Sequence, residues 1–96
     1  MTSILLKTKK TEQIKPLVEA ALEDEANLME INIERTRKNL SRFEKKHKMN
    51  TSVFYRKMEN GKLEDNMDFV GWAGEYETLK RLEKQLRSLK EIKVCK

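Results

Sequence analysis

Apolar residues, with one threonine among them, recur every three or four positions along two long stretches of this chain. The first stretch, called here the first seam, contains Val18, Leu22, Ala26, Met29, Ile33, Thr36, Leu40 and Phe43. The second seam contains Phe69, Trp72, Tyr76, Leu79, Leu82, Leu86 and Leu89. This spacing places the side chains on one face of an α-helix, and a repeat averaging about 3.5 residues is typical of helices that pack together. Each seam therefore predicts a long helix that needs a partner.

The first helix is predicted over about 14–47. Pro16 suits the first turn of a helix, where its missing N–H group would have no partner in any case. No Gly or Pro follows before residue 47. Residues 1–11 show no such period, and we expect them to form a flexible arm.

A short second helix is predicted over about 52–59. Asn50 or Thr51 can cap its start, because a side-chain oxygen there accepts a hydrogen bond from the free N–H groups of the first turn. Gly61 ends it, since glycine adopts the left-handed conformation of a helix C-terminus without a steric cost.

A third helix is predicted over about 67–92. It follows a cluster of capping residues formed by Asp65, Asn66 and Asp68. Acidic side chains at this end also favour the positive pole of the helix dipole.

Charged residues are arranged in alternating blocks. Residues 19–34 carry six acids and no Lys or Arg, whereas residues 35–62 carry ten Lys or Arg against two acids. Residues 63–79 carry five acids and no base, and residues 80–96 carry seven bases against two acids. Blocks of opposite sign lie side by side only if the two long helices are antiparallel. The sequence thus predicts an all-α fold, a long antiparallel helical hairpin with a short helix at the tip.

The whole chain, residues 1–96, is predicted to form a single helical domain. Charged residues make up 39% of it, with three Gly and one Pro, a composition typical of long helices. Two helices alone leave one side of each seam uncovered. We therefore expect a homodimer that forms a four-helix bundle.

Few residues could carry catalytic or metal chemistry. Cys95 is the only cysteine and His47 the only histidine, so one chain supplies neither a disulfide nor a His/Cys zinc site. A lone cysteine favours a reducing compartment, and the apolar run at the N-terminus is too short for a membrane span. We expect a cytoplasmic protein that is not an enzyme, binds no cofactor and does not enter the membrane.

One short motif offers an enzymatic alternative. Arg42 and His47 form an Arg-x4-His pattern that resembles the active-site motif of HEPN-type ribonucleases, which are helical and often dimeric. In that interpretation His47 and Arg42 would handle proton transfer and phosphate charge. Phe43, on the first seam, stands where those enzymes usually carry a polar residue.

The basic block suggests nucleic-acid binding as a further alternative. The candidate phosphate contacts are Arg42, Lys45, Lys46, Lys48, Arg56 and Lys57, with Tyr55 as a stacking group. The competing interpretation, which we favour, is that these cations neutralise the acids of residues 63–79 within the fold.

Three aromatic residues near the start of the third helix are candidate contacts for a protein partner. Phe69, Trp72 and Tyr76 are of the type that dominates interface energy. Their spacing also fits packing against Leu40 and Phe43 in the core, and core packing is the favoured interpretation.

A resemblance supports protein binding. The segments that carry it are Phe43-Glu44-Lys45-Lys46, Met49, Phe54-Tyr55-Arg56-Lys57, Gly61, Asp68-Phe69, Trp72-Ala73-Gly74-Glu75-Tyr76 and Leu79 through Leu82. Over residues 25–92 the chain resembles a group of small helical bacterial and archaeal proteins, some of which are taken as antitoxins of toxin–antitoxin pairs. The resemblance implies a helical module that binds a small toxin-like protein.

Overall fold

The structure, a computed structural model, describes residues 9–94 and the side chains of residues 12–92. It contains three helices, α1 (Lys9–His47), α2 (Thr51–Glu59) and α3 (Met67–Val94), and no strand within the described residues. The long helices α1 and α3 pack along each other, and α2 lies at the turn between them. The predicted all-α hairpin is confirmed.

Ion pairs between the arms define their direction. Arg37 Nη2 lies 2.8 Å from Glu83 Oε2, and Lys90 Nζ lies 3.6 Å from Glu30 Oε1. The residue number of the partner in α1 decreases as the residue number in α3 increases, so the arms are antiparallel, as predicted. Because α3 ends about one turn after Lys90, the part of α1 before about residue 26 extends beyond α3.

The two seams form the core between the arms. Ile33 and Leu40 of the first seam and Trp72 and Leu79 of the second are buried in one cluster. Thr36 of the first seam is also buried. Val18, the first residue of the first seam, is exposed.

The start of the first helix differs from the prediction. Helix α1 begins at Lys9, five residues earlier than expected, and Pro16 lies inside it. Proline removes one hydrogen bond and crowds the carbonyl group four residues before it. A helix of 39 residues tolerates this loss near its end. Residues 9–11 of the predicted arm are helical, and residues 1–8 lie outside the described residues.

The other helix boundaries agree with the prediction to within two residues. Gly61 ends α2 with a φ of 67°; its N–H group donates to the Met58 carbonyl at 3.1 Å, and that of Lys62 donates to Lys57 at 2.9 Å. At the start of α3, Asn66 Oδ1 accepts a hydrogen bond from the Asp68 N–H group at 2.9 Å. Both predicted end motifs are therefore present.

The turn between α1 and α2 contains a lysine in a left-handed conformation. Lys48 has a φ of 55°, and the following residue, Met49, donates its N–H to the Glu44 carbonyl at 3.2 Å. This bond closes the end of α1 in the manner usually supplied by glycine. Any residue with a Cβ is strained at such a φ.

We predict that Lys48→Gly stabilises the protein by about 1 kcal/mol, because it removes the left-handed strain of a residue with a Cβ. Lys45→Gly, one turn earlier and also exposed, is the matched control. It should destabilise by about 1 kcal/mol, since glycine weakens a helix interior. Urea unfolding measures both changes, and a loss of stability in Lys48→Gly would contradict the description of this turn.

Candidate functional site

Aromatic rings join the three helices at the tip of the hairpin. Trp72 and Phe54 are both fully buried, and their rings stack with centroids 3.9 Å apart and planes 3° from parallel. Phe43 stacks on Trp72 at 5.7 Å. The three rings come from α3, α2 and α1 respectively, so this stack fixes the relative positions of the helix ends.

A chain of hydrogen bonds satisfies the polar atom of the buried tryptophan. Trp72 Nε1–H donates to Thr51 Oγ1 at 3.0 Å, and the Thr51 hydroxyl donates to Glu44 Oε2 at 2.9 Å. The same Glu44 oxygen accepts the Thr51 backbone N–H at 2.8 Å. Glu44 thus ties the end of α1 to the start of α2 and, through Thr51, to α3.

The cap of α2 is a correction to the sequence-based prediction. Asn50 stands at the N-cap position, with φ −70° and ψ 147°, but its side chain makes no capping hydrogen bond. The carboxylate of Glu44 takes that role because the turn at Lys48 brings it back over the first N–H group of α2. The sequence contains no local pattern that pairs Glu44 with Thr51.

His47 and Lys46 connect the end of α1 to the start of α3. Asp68 Oδ2 lies 3.0 Å from His47 Nε2 and 2.6 Å from Lys46 Nζ. The His47 ring also lies against Trp72, at 5.6 Å, and Phe69, at 5.1 Å. The hydrogen bonds from Lys46 and His47 lower the pKa of the Asp68 carboxyl.

The residues of the ribonuclease-like motif do not converge within one chain. Arg42 and His47 lie five positions apart in a regular helix, so their side chains point about 140° apart around its axis. Arg42 is exposed, whereas His47 is largely buried and its Nε2 faces Asp68. Here His47 has the contacts of a histidine that links two helices.

The three predicted aromatic contacts occupy different environments. Trp72 is fully buried, so in the folded hairpin it packs in the core and offers no surface to a partner. Phe69 and Tyr76 are half-buried. Tyr76 meets Tyr55 edge-on at 4.9 Å, and Phe69 reaches the surface beside α2.

An apolar groove, called here the tip groove, opens between α2, the linker after it and the first turns of α3. Its apolar lining consists of Met58, Leu63, Phe69, Val70 and Ala73, with Gly74 beside them. Glu64, Asp65 and Glu77 add three carboxylates to the lining, which contains no Lys or Arg. The groove has a volume of about 540 Å³. Val70 is 68% exposed and Met67, at the start of α3, is 83% exposed. Of the predicted partner contacts, Phe69 lines this groove; its other residues were not predicted, because most of them lie off the second seam or in the linker.

The predicted nucleic-acid contacts are only partly neutralised within the fold. Lys46 pairs with Asp68. Within the described side chains, the remaining candidates are exposed and form no ion pair: Arg42, Lys45, Lys48, Arg56 and Lys57. Among these six candidates and the described side chains, the interpretation that acids of residues 63–79 neutralise the basic block therefore holds for Lys46 alone.

Tyr55, the predicted stacking group, is already engaged. Its hydroxyl donates to Glu77 Oε2 at 2.8 Å, and this bond raises the pKa of Tyr55. Lys80 Nζ lies 4.7 Å from the centroids of both the Tyr55 and Tyr76 rings. A base could stack on Tyr55 only by displacing some of these contacts.

No protein-family model, curated protein or solved structure matches this chain. Within residues 9–94, no helix has the length and apolarity that a bilayer crossing requires. In the same range, no three His, Cys, Asp or Glu residues are grouped so that they could hold a metal ion.

We predict that Thr51→Val destabilises the protein by about 1–3 kcal/mol, because it leaves the buried Trp72 N–H without an acceptor. Thr51→Ser is the control: it keeps both hydroxyl bonds and loses one methyl group, at about 0.8 kcal/mol. Urea unfolding followed by fluorescence of the single tryptophan measures both variants. A Thr51→Val variant as stable as the wild type would show that this hydrogen bond contributes nothing.

We predict that Asp68 contributes to acid sensitivity. Because its pKa is lowered in the folded chain, its stabilisation is complete above the ordinary carboxylate pKa of about 4. It is lost as the pH falls through the lowered value. Asp68→Asn should therefore make the melting temperature fall less steeply between about pH 5 and pH 2 than in the wild type. Asp65→Asn, in the linker, is the control, and equal slopes for wild type and Asp68→Asn would contradict the assignment.

Proposed function

We propose that this chain is a non-enzymatic helical protein-binding module, and that its tip groove takes an apolar, positively charged segment of another protein. The observation that carries the proposal is the combination of an apolar lining with three carboxylates, Glu64, Asp65 and Glu77, and no cation. Exposed apolar surface bordered by charge is typical of protein interaction sites. A cytoplasmic location is part of the proposal, since the single cysteine, Cys95, favours a reducing compartment.

The chemistry of the groove favours a particular kind of partner. Carboxylates at its edge repel phosphates and attract Lys or Arg, so a basic segment is favoured over nucleic acid at this site. An amphipathic helix that presents one or two apolar anchors is the common ligand of such grooves. Val70 and Met58 would meet those anchors.

The walls of the groove are held in place before any partner arrives. Phe69 packs against Phe54 at 5.4 Å, and Phe54 stacks on Trp72, so α2 and α3 cannot separate easily. A site that is already ordered loses less conformational entropy on binding. This rigidity supports recognition by a preformed surface.

The resemblance to antitoxin-like proteins supports a small toxin-like protein as the partner. The resembling segments include Asp68-Phe69 and Trp72-Ala73-Gly74-Glu75-Tyr76 of α3, and Phe69, Ala73 and Gly74 from them line the tip groove. The basic segment would then belong to the toxin-like protein, and binding would cover it.

Nucleic-acid binding is the alternative function that a specific observation favours. Five exposed cations at the tip, Arg42, Lys45, Lys48, Arg56 and Lys57, form no ion pair within the described side chains. Binding through them would weaken steeply with salt, because phosphate contacts release counterions. It would also be independent of the tip groove.

The deciding experiment is a pull-down of the tagged protein from its native host after nuclease treatment, with mass spectrometry of what remains bound. We expect one small protein at equal ratio. Val70→Asp should reduce its recovery at least about tenfold, equivalent to 1.4 kcal/mol, because it places a carboxylate in the apolar groove. Ile92→Asp, at an apolar position at the far end of α3 that is also more than half exposed, is the matched control and should retain the partner.

Each other outcome has a defined meaning. If Val70→Asp keeps its helicity by circular dichroism and retains the partner as well as the wild type, the groove is not the site. If the bound material disappears on nuclease treatment, and Lys45→Glu weakens its recovery, the nucleic-acid alternative replaces the proposal.

A further inference from the structure

A second regular stripe of residues runs along α1 on the side that faces away from α3. Its members, called here the outer stripe, are Ala21, Asp24, Leu28, Ile31, Arg35 and Lys38, and all six are exposed. Their spacing alternates between three and four residues, like that of the first seam. Ala21 and Ala26 of the first seam lie five positions apart, so the two faces lie about 140° apart around the helix.

The outer stripe is complementary to a second copy of itself that runs in the opposite direction. Its two large apolar residues, Leu28 and Ile31, lie at the middle, and each is 56% exposed. An acid, Asp24, stands one step before them, and a base, Arg35, stands one step after them. Two copies aligned antiparallel would therefore place each acid against a base.

The antiparallel alignment brings specific residues together. Leu28 meets the partner's Ile31, and Asp24 meets the partner's Arg35. Ala21 meets Lys38 of the partner subunit, whose long aliphatic stem can cover an alanine while its amine reaches solvent. A parallel alignment would instead place Asp24 against Asp24 and Arg35 against Arg35, which like-charge repulsion disfavours.

Some charges on the other faces of α1 form ion pairs within the hairpin, whereas those of the outer stripe form none within the described side chains. Glu30 pairs with Lys90, and Arg37 pairs with Glu83. Within the described side chains, Asp24, Arg35 and Lys38 form no ion pair. The stripe thus offers apolar surface together with unpaired charges of both signs.

We propose that two copies of this chain associate antiparallel through the outer stripes of α1. The contact is isologous, with the same surface on both copies, as a two-fold dimer requires. The pairs between Asp24 and the partner's Arg35 set the register, as polar positions do in other helix pairs. The dimer is a layer of four helices, with the two α1 helices in the middle and an α3 on each outer side.

This dimer differs from a closed four-helix bundle, in which both seams would contribute to a shared core. It also leaves the proposed protein-binding site free, because no residue of α1 lines the tip groove. The two proposals therefore stand independently, and separate substitutions test them.

Sedimentation equilibrium of the full chain tests the proposal. We expect the wild type and Ile92→Asp to be dimers, and Ile31→Asp to weaken dimerisation at least tenfold because it places a carboxylate at the apolar centre. Asp24→Arg and Arg35→Asp should each weaken it similarly. The double variant Asp24→Arg/Arg35→Asp should restore the dimer, since both pairs re-form with reversed sign.

Three results would overturn the proposal. The first is a wild-type chain that stays monomeric at the highest concentration tested. The second is a wild-type dimer that Ile31→Asp leaves unchanged while helicity is retained. The third is a double variant that dimerises no better than the two single charge reversals. A failure here leaves the Val70→Asp result untouched, so the dimer and the tip groove are judged separately.

Discussion

The need of one buried N–H group organises the tip of this hairpin. Trp72 has the largest fully buried side chain. Leaving its indole N–H without an acceptor would lower the stability of the fold by about 1–3 kcal/mol. Thr51 supplies that acceptor, and Glu44 in turn holds Thr51. Three helices meet at this single chain of bonds. The direction in which α2 leaves the end of α1 is therefore linked to the hydrogen bond that the Trp72 N–H group needs.

The tip groove results from the way α2 is held against α3. Once α2 is fixed against α3, the linker between them passes over one side of the junction and leaves the tip groove open. The exposed residues of its lining, among them Glu64, Asp65 and Val70, lie outside the core, whereas the stack of Phe54 on Trp72 holds the helices together. The surface can thus vary with the partner while the core remains, which is the usual division between scaffold and site.

The sequence pattern predicted the arms and the bounds of the short helix, but it did not predict the side-chain contacts at the tip, for physical reasons. Ile33, Leu40 and Leu79 are buried because they lie on the face of their helix that packs against the other arm. The spacing of apolar residues along the sequence indicates both the helix and that face. The left-handed Lys48 is not visible, because lysine has no preference for that conformation and tertiary contacts impose it. The capping bond of Glu44 depends on that turn, and the groove depends on the linker, so neither could be predicted.

The unequal length of the two arms divides α1 into parts of different stability. Before about residue 26, α1 extends past Val94, the last described residue of α3, and isolated helices of about 12–15 residues are marginal in water. Opening there breaks mainly local hydrogen bonds, while opening at the tip requires dismantling the aromatic stack. The rate of amide hydrogen exchange would therefore differ greatly along a single continuous helix. Local opening would permit exchange near its start, whereas exchange near His47 would require global unfolding.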